Sequence, residues 1–412
     1  MAEVQREGMY LVLPVPFRVV NGEYFVEAQA ANGLDRWADH FERLVVAAPV
    51  IPEEMVARLS GFVWRSLSTL EHRTRVMVQA LPWAYSPGTF LREMRRVRQM
   101  MAASIAGAEH LQFAIGGLVG DWAAVAALEA RKQKRKYAIH TDRVEHELIR
   151  KTAKGASLMR RLRVMVEAPL MERYHRWVIE GCSLGLWHGD DCYRAYAPWC
   201  DESHLVHDVH TKANDLIGAV ELVQKLEDLE REGALRVVYA GRLDPMKAPL
   251  EWVSAIGAAR DGGVELEAVW YGEGAMLDDA RRESVRVGLE RVIRFGGFVA
   301  DRAAMLEHLR GAHALVFTHV TPESPRILIE ALVSGTPILG YANAYAKNLL
   351  AGKGGGELVE VHDTGGLGAL IAEMARDRTR LRRLTLEAAA NGRRFTDEAV
   401  FAERSKLVKR FA

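Results

Sequence analysis

The sequence predicts an α/β chain built as two doubly wound domains, and three observations carry this. The 412 residues exceed what one core organises and suit two domains of about 200 residues each. Short apolar runs alternate with longer amphipathic segments, the pattern of βαβ units and parallel sheets. The alternation stops in a polar stretch at 200–214 and then restarts more cleanly. The expected division is 1–208, 209–392, and a helix at 393–412 that packs back toward the N-terminal domain.

In the first half, strands are expected at 9–15, 44–48, 75–79, 111–113, 136–141 and 183–187. Helical periodicity fills 90–105, 121–131 and 165–180. The stretch 200–214 reads as the inter-domain link, and a helix at 215–231 follows, ended by Gly233. Second-half strands are expected at 235–240, 264–271, 292–295, 313–318, 336–340 and 357–361. Helices lie between them at 249–260, 275–288, 302–311 and 327–334, and the tail at 378–411 reads as helical throughout. Sheets of this kind bind ligands outside the carboxyl ends of their strands. The two domains are therefore expected to face each other across a cleft.

Bulk properties narrow the function. With 49% hydrophobic and 26% charged residues the chain is globular, neither disordered nor fibrous. A net charge of +1 gives the whole molecule no bias toward nucleic acid, which is not expected as a partner. No apolar run approaches the ~20 residues that span a bilayer, and the most apolar stretch, 114–128, is broken by Asp121. Residues 1–8 are charged and lack an apolar leader, and three cysteines without CxxC fit a reducing compartment. A cytoplasmic protein is expected. His188, Cys192, Cys200 and His204 are zinc-compatible types, but their spacing suits no knuckle. Buried cysteines with exposed histidines are expected there, and no metal.

Two segments carry chemistry. Directly after a strand comes Tyr239-Ala240-Gly241-Arg242-Leu243-Asp244-Pro245-Met246-Lys247. Fixed cations at a strand C-terminus can stabilise a diphosphate as it leaves; read alone, they can equally be solvated loop charges. Farther on, Glu323-Ser324-Pro325-Arg326 leads into a helix carrying Glu330, then Gly335-Thr336-Pro337. Carboxylates accept hydrogen bonds from sugar and ribose hydroxyls, while a helix N-terminus offers N–H groups to phosphate. Either glutamate can also be ordinary helix charge.

Together these segments resemble glycosyltransferase family 4, retaining enzymes of the GT-B fold, closely from Arg236 to about Arg380 and loosely before it. The resemblance makes Arg242 and Lys247 the diphosphate clamp. Gly241 belongs to the same turn, and Gly272-Glu273-Gly274 is similar to the family's Gly-x-Gly turn after the next strand. Phe298 and Val299 follow Gly296-Gly297 and resemble the segment whose backbone lies along the nucleotide base. Glu330 matches the ribose-holding glutamate of the family's Glu-x7-Glu motif, and Glu323 the one that orients the sugar. Here only six residues separate them, and Ser324, Pro325 and Arg326 stand where the family carries a Gly-aromatic-Gly loop. In the first half His140, at a strand end and followed by Thr141-Asp142, is similar to the family's cleft-facing histidine. Gly22, after Asn21, would lie in the glycine loop near acceptor and phosphates, although Asn-Gly is also an ordinary turn.

The resemblance implies a nucleotide-diphospho-sugar donor and a saccharide or lipid-linked acceptor, with cell-surface polysaccharide or glycoconjugate assembly as the context. No Asp-x-Asp occurs, which agrees with a clamp of side-chain cations and no metal or other cofactor. Two alternatives share the architecture: a sugar-nucleotide epimerase, and a non-catalytic nucleotide-sugar-binding protein. Finally, 131–176 holds 14 Arg/Lys against 5 Asp/Glu, an excess of 14 − 5 = 9. This reads either as solvated helix faces or as peripheral contact with an anionic membrane or acceptor.

Overall fold

Apolar runs bounded by amphipathic segments become parallel strands, and they sort into two sheets. The computed structural model describes residues 8–57, 62–153, 157–207, 209, 211–231, 233–321 and 325–412. The chain forms two compact units. One runs to Asp208 and takes in Val400–Ala412, and the other is Val209–Ala399.

The first unit contains β1 (Met9–Val12), β2 (Arg18–Val20), β3 (Glu23–Glu27), β4 (Leu44–Pro49), β5 (Trp64–Ser66), β6 (Val76–Leu81), β7 (His110–Ala114), β8 (Ala138–Thr141), β9 (Leu184–His188) and β10 (Ser203–Val206). Seven of them form a parallel sheet in the order β10-β9-β8-β7-β1-β4-β6. Side chains alternate between its faces. Tyr10, Val12, Leu111 and Phe113 enter one core with Trp122 and Val97. Met9, Leu11, Leu44 and Val46 enter the other with Leu34, Trp37 and Val408. Burial on both faces explains why these strands read as continuous apolar runs.

Two features depart from the sequence expectation. The stretch 200–214 is not only a link, because Ser203–Val206 is the edge strand β10, paired in parallel with β9. Its first three residues are only half-buried, so the apolar signal of an inner strand is missing. A small antiparallel sheet, β2-β3-β5, was also unforeseen, its strands being three to five residues with little burial.

The second unit contains β11 (Leu235–Ala240), β12 (Leu266–Tyr271), β13 (Ile293–Gly297), β14 (Ala314–Phe317), β15 (Ile338–Tyr341) and β16 (Gly356–Val359). They form one parallel sheet ordered β13-β12-β11-β14-β15-β16, with helices such as Pro249–Asp261, Arg302–Gly311 and Arg326–Val333 between strands. The tail is not one helix. A 3-10 turn at Arg393–Phe395 separates Arg378–Gly392 from Asp397–Phe411, and the Thr396 hydroxyl caps the second at Ala399 N, 3.2 Å away. Among the described residues no helix is long and apolar enough to cross a membrane.

Candidate functional site

In the second sheet the strand order reverses between β11 and β14, and the crevice at such a reversal is where α/β sheets hold ligands. The loop after β11 lies there and is fastened on both sides. Toward β12, Gly241 N donates to Tyr271 O at 2.9 Å and Leu243 N to Glu273 O at 3.0 Å. The Trp270 indole donates to Gly241 O at 2.9 Å. Toward β14, the Thr318 hydroxyl donates to Lys247 O at 2.9 Å, Val320 N donates to Met246 O at 3.1 Å, and Tyr239 Oη meets His319 Nε2. The loop after β13 joins the set through Gly272 N to Gly297 O, 2.7 Å.

This lacing requires glycine. Gly272 has φ +136°, and a Cβ there would sit 2.1 Å from Gly241 O; a Cβ on Gly274 would sit 2.3 Å from Leu243 O. Both would overlap backbone that cannot move without undoing the lacing. Gly241, Gly272 and Gly274 are therefore gathered in one place, as the motif expectation has them.

The cations differ in setting. The Arg242 side chain is 77% exposed, with Nη2 3.6 Å from Asp244 Oδ2. Lys247 is buried. It ends a short turn, Pro245–Lys247, whose first residue follows Asp244, and Asp244 Oδ1 accepts from Met246 N at 3.1 Å. Ala248, at φ +46°, then redirects the chain into the helix Pro249–Asp261. Lys247 thus stands one residue before a helix N-terminus, where positive potential adds to its own charge. Phe298, directly after β13, is 72% exposed, and Val299 is half-buried.

The helix Arg326–Val333 follows buried Pro325; Arg326 is exposed, while Ile327, Leu328 and Ile329 face the core. Glu330 is half-buried, with Oε1 3.5 Å from Arg302 Nε. Arg302 also reaches Asp215 Oδ2 at 2.5 Å and the Thr211 hydroxyl at 3.3 Å. The sequence reading missed this partner of Glu330. Its signal was an arginine at the first position of the preceding helix. Glu323 and Ser324 lie outside the described residues.

In the first unit His140 is half-buried near the end of β8, and its carbonyl accepts from Ile115 N at 3.0 Å. That bond sets it beside a glycine loop, Gly116-Gly117-Leu118-Val119-Gly120, where this sheet reverses order between β1 and β7. Asp121 clasps the loop, accepting from Gly116 N and Ala124 N at 3.0 Å each. Burial pushes its carboxyl up to about 6. His175 Nε2 lies 3.3 Å from Gly117 O, and burial lowers its imidazole to about 4. The sequence signal is Gly-Gly and Gly-Asp between a strand and a helix, inside a stretch that otherwise reads only as an interrupted apolar run. Gly22 and Asn21, at φ +82° and +51°, form the tip of the β2–β3 hairpin, the double positive φ that such two-residue turns demand. The turn alone is enough to require glycine there.

Of the zinc-compatible residues, Cys200 lies 3.3 Å from Cys182, and His204 bonds Glu202 at 2.6 Å. Among the described residues no group of three or more His, Cys, Asp or Glu side chains is gathered to hold a metal ion.

Residues 224–391 match the family described as Glycosyl transferases group 1. No curated protein matches the chain in sequence. Among solved structures, a glycosyltransferase from Rickettsia africae is similar at 10% identity, covering 98% of each chain, with TM-score 0.59. HepE from Anabaena, solved with UDP, is similar at 15% identity over 98% of this chain and 99% of its own, TM-score 0.58. Sucrose-phosphate synthase from Thermosynechococcus elongatus is similar at 13% identity over 98% and 99%, TM-score 0.55. The fold is GT-B.

Proposed function

From its place over residues 224–391 in glycosyl transferases group 1, we propose that the chain is a retaining glycosyltransferase of the family 4 kind. It moves a sugar from a nucleotide-diphospho-sugar to an acceptor hydroxyl in the cytoplasm, in polysaccharide or glycoconjugate assembly. The observation that carries this is the laced crevice of the second unit. Three loops are held backbone to backbone by glycines, with Arg242 exposed beside them and Lys247 held before a helix N-terminus.

In this reading the bond from the sugar's anomeric carbon to the diphosphate oxygen breaks, and a bond to the acceptor oxygen forms on the same face. The acceptor's proton goes to the departing diphosphate, so no separate base is needed. Arg242 and Lys247 neutralise the charge that develops on that leaving group. The helix N-terminus behind Lys247 adds N–H donors and needs no metal. Glu330 takes the ribose diol, exchanging its contact with Arg302 for it. Glu323 orients the sugar, with Ser324, Pro325 and Arg326 completing that loop, and Phe298-Val299 lie along the base. His140 serves the acceptor half, and peripheral contact with an anionic membrane belongs to the same reading.

The test is turnover with UDP-, GDP- and ADP-sugars, beginning with UDP-sugars because the Anabaena relative is solved with UDP. Arg242→Ala and Lys247→Ala should each lower turnover more than about tenfold while the fold survives. Activity should persist in excess chelator. Near-wild-type turnover in both variants, or activity lost to chelator and restored by magnesium, would sink the proposal. Donor converted to its epimer without acceptor would replace it with the epimerase reading.

A further inference from the structure

The helix Leu158–Ile179 of the first unit carries apolar residues on two opposite faces. At 3.6 residues per turn, Val164, Ala168, Met171, His175 and Val178 share one side, and all five are buried. Val164 and Ala168 pack on Ile149 and Ala153, and Val178 enters the main core. The opposite side, an arc of about 140° by the same geometry, holds Leu158, Met159, Leu162, Met165, Val166 and Leu170. All six are between 52% and 79% exposed. Scattered exposed apolar side chains need no explanation, but a contiguous stripe of six does.

What borders the stripe selects its partner. Arg161 and Arg163 flank it on either side, and Arg160, Arg173 and Arg176 stand exposed on the same helix. At its far end Trp177, 51% exposed, lines a cavity of about 610 Å³ shared with Phe90, Met94 and Leu128, and Arg98, Arg131 and Lys132 line it too. Arg98 pairs with Glu129 at 2.9 Å and Arg176 with Glu180 at 2.7 Å, but an apolar protein surface would leave Arg160, Arg161, Arg163 and Arg173 facing carbon. An anionic bilayer offers acyl carbon to the stripe and phosphate to the arginines, the arrangement of a helix lying in the membrane interface. Trp177 has the apolar body and polar edge of an interfacial anchor.

We propose that this face is where the protein docks on an anionic phospholipid bilayer, with the helix axis in the plane of the membrane. The inference deepens the membrane contact included in the proposed function and does not depend on the glycosyl-transfer chemistry. Arg163 donates to Glu167 at 3.0 Å, an exposed pair too weak to cancel its attraction to a charged surface.

The experiment is cosedimentation of the full chain with phosphatidylcholine vesicles, with and without phosphatidylglycerol. Wild type should bind the anionic vesicles and show little binding to neutral ones. Replacing Arg160, Arg161 and Arg163 by Gln should weaken that binding at least about tenfold. Leu162→Ser with Met165→Ser should weaken it about as much without altering net charge. All these side chains are exposed, so circular dichroism and the nucleotide-induced thermal shift should match wild type in both variants. Failure of wild type to bind anionic vesicles, or wild-type binding by the serine variant, overturns the docking surface. So does a solution dimer that the serine substitutions dissolve. Vesicle binding without any nucleotide response would leave the docking face standing and defeat the proposed function instead.

Discussion

The two sheets share one winding order yet hold their edge loops differently. In the second unit, the loops after β11, β12, β13 and β14 are laced to one another by backbone hydrogen bonds. Glycine there fits space that no Cβ can enter. In the first unit, the loop after β7 is held by side chains instead, Asp121 at Gly116 N and His175 at Gly117 O. Its Gly116 meets nothing within 4 Å and Gly117 only the Val119 carbonyl at 3.7 Å. Under the proposed function the second crevice presents N–H groups and cations to a diphosphate and gains from rigidity, because preorganised dipoles need no rearrangement during reaction. The acceptor side would need no such frame.

The largest effect should come from testing that contrast directly. Gly272→Ala places a Cβ against Gly241 O at a φ that L-residues avoid, so it should cost about 3 kcal/mol or more and abolish nucleotide binding. Gly117→Ala should cost less than about 0.5 kcal/mol. Urea midpoints for the pair decide it, and equal losses would break the comparison.

Next is Lys225, wholly buried in the second unit. Its ammonium donates to Arg310 O at 2.9 Å, Ala312 O at 2.7 Å and the Thr336 hydroxyl at 2.8 Å, and burial lowers its pKa to about 7. It ties the end of the helix Arg302–Gly311 to the segment that leads into β15. Lys225→Met should cost about 3 kcal/mol by orphaning those acceptors, read as a lowered thermal midpoint.

Acid should separate the units. Burial lowers His313 in the second unit from 6.5 to about 4. Between those values the unfolded chain binds more protons, so stability falls as pH drops, on the order of a few kcal/mol by pH 4.5. In the first unit His175 has the same sign. Asp121, raised from 3.8 to about 6, binds its proton more readily when folded and opposes the loss over the same window. Hydrogen exchange at pH 4.5 should therefore show the second unit opening more than the first, and Asp121→Asn should narrow the gap. Glu330→Gln should change stability only slightly, by under about 1 kcal/mol for a partly exposed pair. Its nucleotide affinity should nevertheless fall, and calorimetry showing unchanged affinity would remove Glu330 from the ribose.

The same contrast explains what the sequence disclosed. Strand 235–240 and helix 302–311 were legible to the residue, because inner strands and capped helices announce themselves by burial and by residues such as Asp301. The crevice glycines were legible because close backbone approach excludes every other residue type. The first unit's loop was not, since open glycines 116 and 117 carry no such constraint and Asp121 acts through the backbone. Edge strand β10 carries apolar side chains only at Leu205 and Val206 and is half-buried over its first three residues, too short a signal to reveal it. Arg302 as partner of Glu330 is a contact between helices 28 positions apart in sequence, which no local pattern encodes.

The last helix adds an order of events. Phe401 stacks edge-on against Trp37 at 5.2 Å, Val408 lies in the core with Leu34 and Phe41, and Lys409 reaches His40 O at 2.6 Å. During synthesis, residues 8–207 emerge first yet lack this cover until some 190 further residues have been made, a span at common translation speeds of roughly ten seconds or more. Throughout that interval Trp37 and Phe41 present a sticky face on a nascent chain.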